Sequence, residues 1–142
     1  MNTSLKALYT AGLPGNNKGV KMKSALSDLE LKVMSIVWHH GGKTTAKQIY
    51  TEMHAEFGYT RGAVYALIHR CIEKGAMERN DPNFTCKSIV NPDSVRYDEI
   101  AKLVNTAFDG SATKLVKVLL DNGNLSAEDL DEIQAALDAR KR

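Results

Sequence analysis

A single residue, Tyr59, separates Gly58, a glycine able to stop one amphipathic segment, from Thr60, a threonine able to start the next. No other feature constrains the chain as much, because a short helix, a turn of three to four residues containing glycine and a second helix form the helix-turn-helix pattern. The first segment opens at Thr45-Ala46-Lys47-Gln48 with capping-box spacing and sets Ile49, Met53 and Phe57 on one apolar face. The second runs from Thr60, its N-cap, to Gly75, its C′ stop, and buries Val64, Leu67, Ile68, Cys71 and Ile72. Its other face carries Arg61, Tyr65, Ala66, His69 and Arg70. Long cations, an aromatic hydroxyl and a small residue that permits close approach suit a helix lying in a major groove. A charged outer face is also the default of an ordinary surface helix, so the flanking segments must decide.

Upstream, Ser27 and Glu30 have capping-box spacing and Leu26 with Leu31 staple spacing, which predicts a helix with Leu31, Met34, Val37 and Trp38 inward, ended by His39-His40-Gly41-Gly42. Downstream, Ala76-Met77-Glu78-Arg79, the turn formers Asn80-Asp81-Pro82-Asn83 and the β-prone Phe84 to Val90 predict a hairpin. Three helices and a hairpin make a winged helix. The expected DNA-contacting set is Thr45, Lys47, Thr60, Arg61, Ala63, Tyr65, Ala66, His69 and Arg70, with Arg79, Asn80, Asn83 and Lys87 on the wing facing phosphates.

From residue 91 the chain changes character. Asn91-Pro92 is a helix start, and Ile100, Leu103, Val104, Ala107 and Phe108 share one face until Asp109-Gly110-Ser111. A second helix carries Leu115, Val116, Val118, Leu119 and Leu120 up to Asp121-Asn122-Gly123, and Ser126 caps a third with Leu130, Ile133 and Leu137 inward. Three short helices in about 50 residues enclose too little volume to bury these stripes. A second copy of the segment is the simplest cover, so the expected dimer interface is Ile100, Leu103, Val104, Phe108, Leu115, Val116, Leu119, Leu120, Leu130, Ile133 and Leu137. The domain expectation is a flexible basic arm over 1–24, a winged helix-turn-helix DNA-binding domain over 25–90 and a helical dimerisation domain over 91–142, mainly α with a small β-hairpin wing.

Charge agrees with that order. The net charge of +2 conceals an acid-free residues 1–24 holding Lys6, Lys18, Lys21 and Lys23, whereas residues 91–142 carry more acids than bases. A basic arm can enter a minor groove or remain a solvated tail. No apolar run approaches the roughly 18 residues of a spanning helix, and Met1 to Leu13, interrupted by Lys6, lacks a signal-peptide core; a cytoplasmic location is expected. The two cysteines, Cys71 and Cys86, have no metal spacing and read as small core residues. Adjacent His39 and His40 point about 100° apart on a helix, so no metal or cofactor is expected. Phosphate loops, two-histidine helix motifs and nucleophile elbows do not occur, which disfavours an enzyme. The rival is a winged helix used as a protein-interaction module, against which Arg61, His69 and Arg70 count.

These segments resemble the penicillinase-repressor family, which includes the β-lactamase, methicillin-resistance and copper-responsive repressors. The resemblance covers about residues 26–140 and is carried by Leu26 to Trp38, by Ala63 to Gly75 and by Leu125 to Ile133. It implies a homodimer joined through its C-terminal helices, each winged helix reading half of a palindromic operator in double-stranded DNA, commonly built around TACA and TGTA. The cysteine motif of the copper-responsive branch has no counterpart, as no cysteine follows Cys86. In the antibiotic-responsive branch a sensor protease cuts after an asparagine; lining up Leu115-Val116 and Leu125-Ser126 puts Val118-Leu119 there, with valine in the asparagine's place. Whether such a protease or a small effector relieves repression is left open.

Overall fold

The computed structural model describes residues 22–142, so the expected basic arm lies, up to Lys21, outside the described residues. The elements are α1 (Asp28–His39), β1 (Lys43–Thr45), α2 (Ala46–Phe57), α3 (Arg61–Glu73), β2 (Met77–Asn80), β3 (Thr85–Ser88), α4 (Pro92–Ala107), α5 (Ala112–Asn122) and α6 (Ala127–Arg140). Two compact units divide them, one ending at Asp98 and one beginning at Glu99.

In the unit of residues 22–98, α1 starts on the expected capping box: Glu30 N–H donates to Ser27 Oγ at 3.2 Å and Ser27 N–H to Glu30 Oε1 at 2.9 Å. Helix α2 has only half of one. Gln48 N–H donates to Thr45 Oγ1, but the Gln48 side chain donates to Glu52 Oε2 at 2.8 Å instead of turning back to the cap. Helix α3 begins where expected, with Ala63 N–H on Thr60 Oγ1 at 3.2 Å.

The wing is a three-stranded antiparallel sheet in the order β1-β3-β2, one strand more than the expected hairpin. Strand β1 has only three residues, Lys43-Thr44-Thr45, and its partners Lys87, Cys86 and Thr85 lie some forty residues away. Nothing local announces it. The pairing joins the start of α2 to the wing.

Val33, Met34, Val37, Ile49, Met53, Val64, Ile68, Cys71, Met77 and Cys86 are buried together, and Val95 from the start of α4 joins them. Val33 displaces Leu31 and Trp38, which are only half-buried, from the expected inward stripe of α1. Phe57, expected on the apolar face of α2, is 41% exposed; it stands at the last helical position, beneath the Lys32 ammonium at 4.6 Å and beside Tyr59. Met22 packs on this core, and Lys23 N–H donates to Lys74 O at 2.9 Å.

In the unit of residues 99–142 the helix ends are well made. Asp109 and Gly110, both at positive φ, turn the chain after α4, Ser111 accepts from Lys114 N–H, and Ser126 and Asp129 form a reciprocal capping box on α6. Gly123 is a glycine for space rather than for φ, because a Cβ there would lie 2.4 Å from Leu119 O. Of the described residues in this unit only Ala101 and Val104 are buried.

Candidate nucleic-acid interface

The sharp turn between α2 and α3 rests on Gly58 at φ 75°, a left-handed conformation that a glycine adopts without a Cβ penalty. Its N–H donates to His54 O, and His54 Nδ1 lies 3.1 Å from Tyr59 O. The far end of α3 is anchored as well. Lys74, its C-cap, donates to Glu30 Oε1 at 2.6 Å and to Ala25 O at 2.8 Å. Burial would raise the Glu30 carboxyl, but the Lys74 ammonium and the Ser27 hydrogen bonds outweigh it and hold the group below the ordinary carboxylate range. Near the start of α2, the Gln48 amide, against burial, and then His40 likewise hold Glu52 low, with His40 Nε2 at 2.6 Å.

Between these anchors α3 exposes Arg61, Gly62, Ala63, Ala66, His69 and Arg70. Tyr65 is half-buried, with the Arg61 guanidinium 4.7 Å above its ring. The wing comes to the same place through a residue absent from the expected set. Phe84 makes a T-shaped contact with the Tyr65 ring at 5.6 Å and a tilted one with His69 at 5.8 Å, while the Arg79 guanidinium stacks over it at 3.7 Å. Phe84 has φ 47°, uncommon for a bulky residue, and its carbonyl accepts from Ala46 N–H at 2.9 Å. An aromatic directly after four turn formers was the available signal.

The remaining wing residues divide by register. Arg79 is opposite Cys86, on the face turned to the core, whereas Lys87 is opposite both Glu78 and Lys43 on the outer face. Arg79 and Lys87 therefore lie on opposite faces of the sheet, and Arg79, also paired with Asp81 at 2.9 Å, joins the α3 cluster. Asn80 and Asn83 are exposed on either side of the turn, and Lys47 is exposed on the first turn of α2. The Thr45 and Thr60 hydroxyls are occupied as helix caps. Gly62 is exposed on the first turn of α3. A Cβ there would meet nothing within 4 Å, so its absence serves no packing in this chain.

In the other unit, Ile100, Leu103, Val116, Leu119, Leu120, Leu130 and Leu137 each leave 44–51% of their surface exposed, as does Val118, while Phe108, Leu115 and Ile133 are half-buried. Val104, by contrast, is wholly buried, on the face of α4 that also carries buried Ala101. Among the described residues no three histidine, cysteine or acidic side chains gather as a metal site, and no helix is long and apolar enough to cross a membrane.

The sequence is similar to those of known proteins. The chain is 25% identical over 118 residues to the penicillinase repressor of Bacillus licheniformis, covering 82% of this chain and 91% of that one. It is 23% identical over 117 residues to the methicillin resistance regulatory protein MecI of Staphylococcus aureus, covering 81% and 94%. The family model described as penicillinase repressor matches residues 26–139, and with the winged helix-turn-helix fold this establishes that the chain belongs to the penicillinase repressor family.

Proposed function

We propose that this protein is a DNA-binding transcriptional repressor that acts as a homodimer on a palindromic operator. The observation that carries the reading is the α3 surface. Arg61, Ala66, His69 and Arg70 stand exposed on a helix anchored at both ends, with the wing cation Arg79 drawn to the same cluster. In this reading residues 25–90 bind DNA, with α3 in the major groove and Asn80 and Asn83 at the phosphates. Residues 91–142 join two copies through the exposed apolar residues of α4, α5 and α6, and two-fold symmetry then sets two half-sites about one helical turn apart or a multiple of it. A repressor that acts on chromosomal DNA works in the cytoplasm, which is the location this reading implies.

The signal that ends repression is open between a sensor protease and a small effector. Val118 and Leu119 lie inside α5, and a helix must open locally before a protease can thread it. The Asn122-Gly123-Asn124 turn, exposed throughout, offers the easier cut.

Sequencing the chromosomal fragments retained by the purified protein tests the reading. Recovery of one inverted-repeat sequence is expected. Retention of no fragment at low salt would reject DNA binding, and recovery of single unpaired half-sites would reject the palindrome.

A further inference from the structure

We propose that Phe84 is a positioning residue that locks the wing and α3 into one register on DNA and thereby sharpens which sequence is read; this rests on the DNA-binding reading above. Its ring gathers groups from two elements, Tyr65 and His69 from α3 and Arg79 from β2. Its carbonyl holds a third, accepting from the first residue of α2, Ala46.

The two side chains it steadies do different work. Tyr65 and Phe84 are T-shaped, at an interplanar angle of 86°, and the Arg61 guanidinium stacks over the Tyr65 ring. Arg79 stacks on the Phe84 ring at 3.7 Å and pairs with the Asp81 carboxylate at 2.9 Å. Side chains at a binding surface ordinarily lose rotamer freedom when the ligand arrives; here that freedom is restricted beforehand by contacts within the protein. A base-edge contact by Tyr65 and a phosphate contact by Arg79 then fall at a fixed separation. Without the ring each group remains able to touch DNA, but the two no longer share a register. Discrimination is lost before affinity.

The experiment selects a randomised duplex library with the full-length protein and compares affinity for the most enriched duplex with affinity for random-sequence duplex. Phe84→Leu is expected to lower this ratio about ten-fold, the scale of one base contact, while random-duplex affinity changes by less than about two-fold. Phe84→Tyr is expected to restore most of the ratio. Because Phe84 acts through Tyr65, the double variant Tyr65→Ala with Phe84→Leu is expected to lose less than the two single losses combined. Thermal unfolding checks that each variant is folded, and Phe84→Met serves if Phe84→Leu is not. An unchanged ratio in a folded variant, or fully additive losses, would overturn the proposal. A wild-type protein that binds duplex without preference would overturn it while leaving DNA binding intact, and one that binds no duplex would overturn both.

Discussion

Residues 22–98 and residues 99–142 are both built from well-capped helices, yet they treat apolar side chains in opposite ways. The first unit closes over Met34, Ile49, Met53, Ile68 and Met77 until almost nothing of them is exposed. The second leaves Leu119, Leu120, Leu130 and Leu137 about half exposed. Capping and periodicity make helices; only enclosure makes a core. The first unit encloses its apolar side chains, whereas the second leaves many of its own at the surface.

The largest test of this contrast is Ile68→Ala, which removes a fully buried side chain from the first unit. Its unfolding free energy is expected to fall by about 2–5 kcal/mol, read by urea denaturation with Trp38, the one tryptophan, as probe. A loss below 1 kcal/mol, on the scale of a surface change, would erase the distinction.

Next in size is Glu30→Gln, which leaves Lys74 without its charged partner. Lys74 remains a quarter exposed, so the expected loss is about 1–3 kcal/mol rather than that of a fully buried pair. The pH dependence follows from the sign. The carboxyl is held below its unfolded value of about 4.5, so its stabilisation is present above that pH and fades as pH falls through the folded value. Denaturation midpoints of wild type are expected to drop on acidification below pH 4.5, and Glu30→Gln to drop less, with Glu52 supplying the remaining dependence. Parallel curves would exclude Glu30 as a source.

Gly62→Ala has the opposite sign. An added methyl meets open space on an exposed helix, so stability is expected to rise by less than about 1 kcal/mol. If α3 approaches DNA closely there, duplex affinity falls as stability rises, and a gel shift beside a melting curve measures both.

Smallest for the first unit is Leu119→Ser, expected to move the urea transition of residues 22–98 by no more than about 0.5 kcal/mol. Sedimentation is expected to show weakened self-association. Unchanged association would direct the search for the interface away from α5.

The contrast also explains what could be read from the sequence. Caps at Ser27, Thr60 and Ser126 and stops at Gly58 and Gly75 act over three or four residues, so their spelling is local and all were legible. Strand β1 was not, because Thr44 pairs with Cys86, a partner no nearby residue announces. Phe57 has the helical spacing of a core residue but sits where α2 ends, and periodicity cannot tell an end from a middle. At the site, the outward residues of α3 followed from helical geometry. Phe84 did not, because its role comes from three segments meeting in space.

One consequence of the dry core concerns time rather than structure. Burial pushes the Cys71 thiol up to about 12 and the Cys86 thiol to about 11, with neither sulfur exposed. Since the thiolate is the reactive form, both are silent toward alkylating reagents while the fold is closed. Each becomes reactive only when the chain around it opens. The rate at which the native protein takes up such a label therefore clocks opening of the winged-helix core, and repeating the measurement with duplex present would report how far DNA slows it.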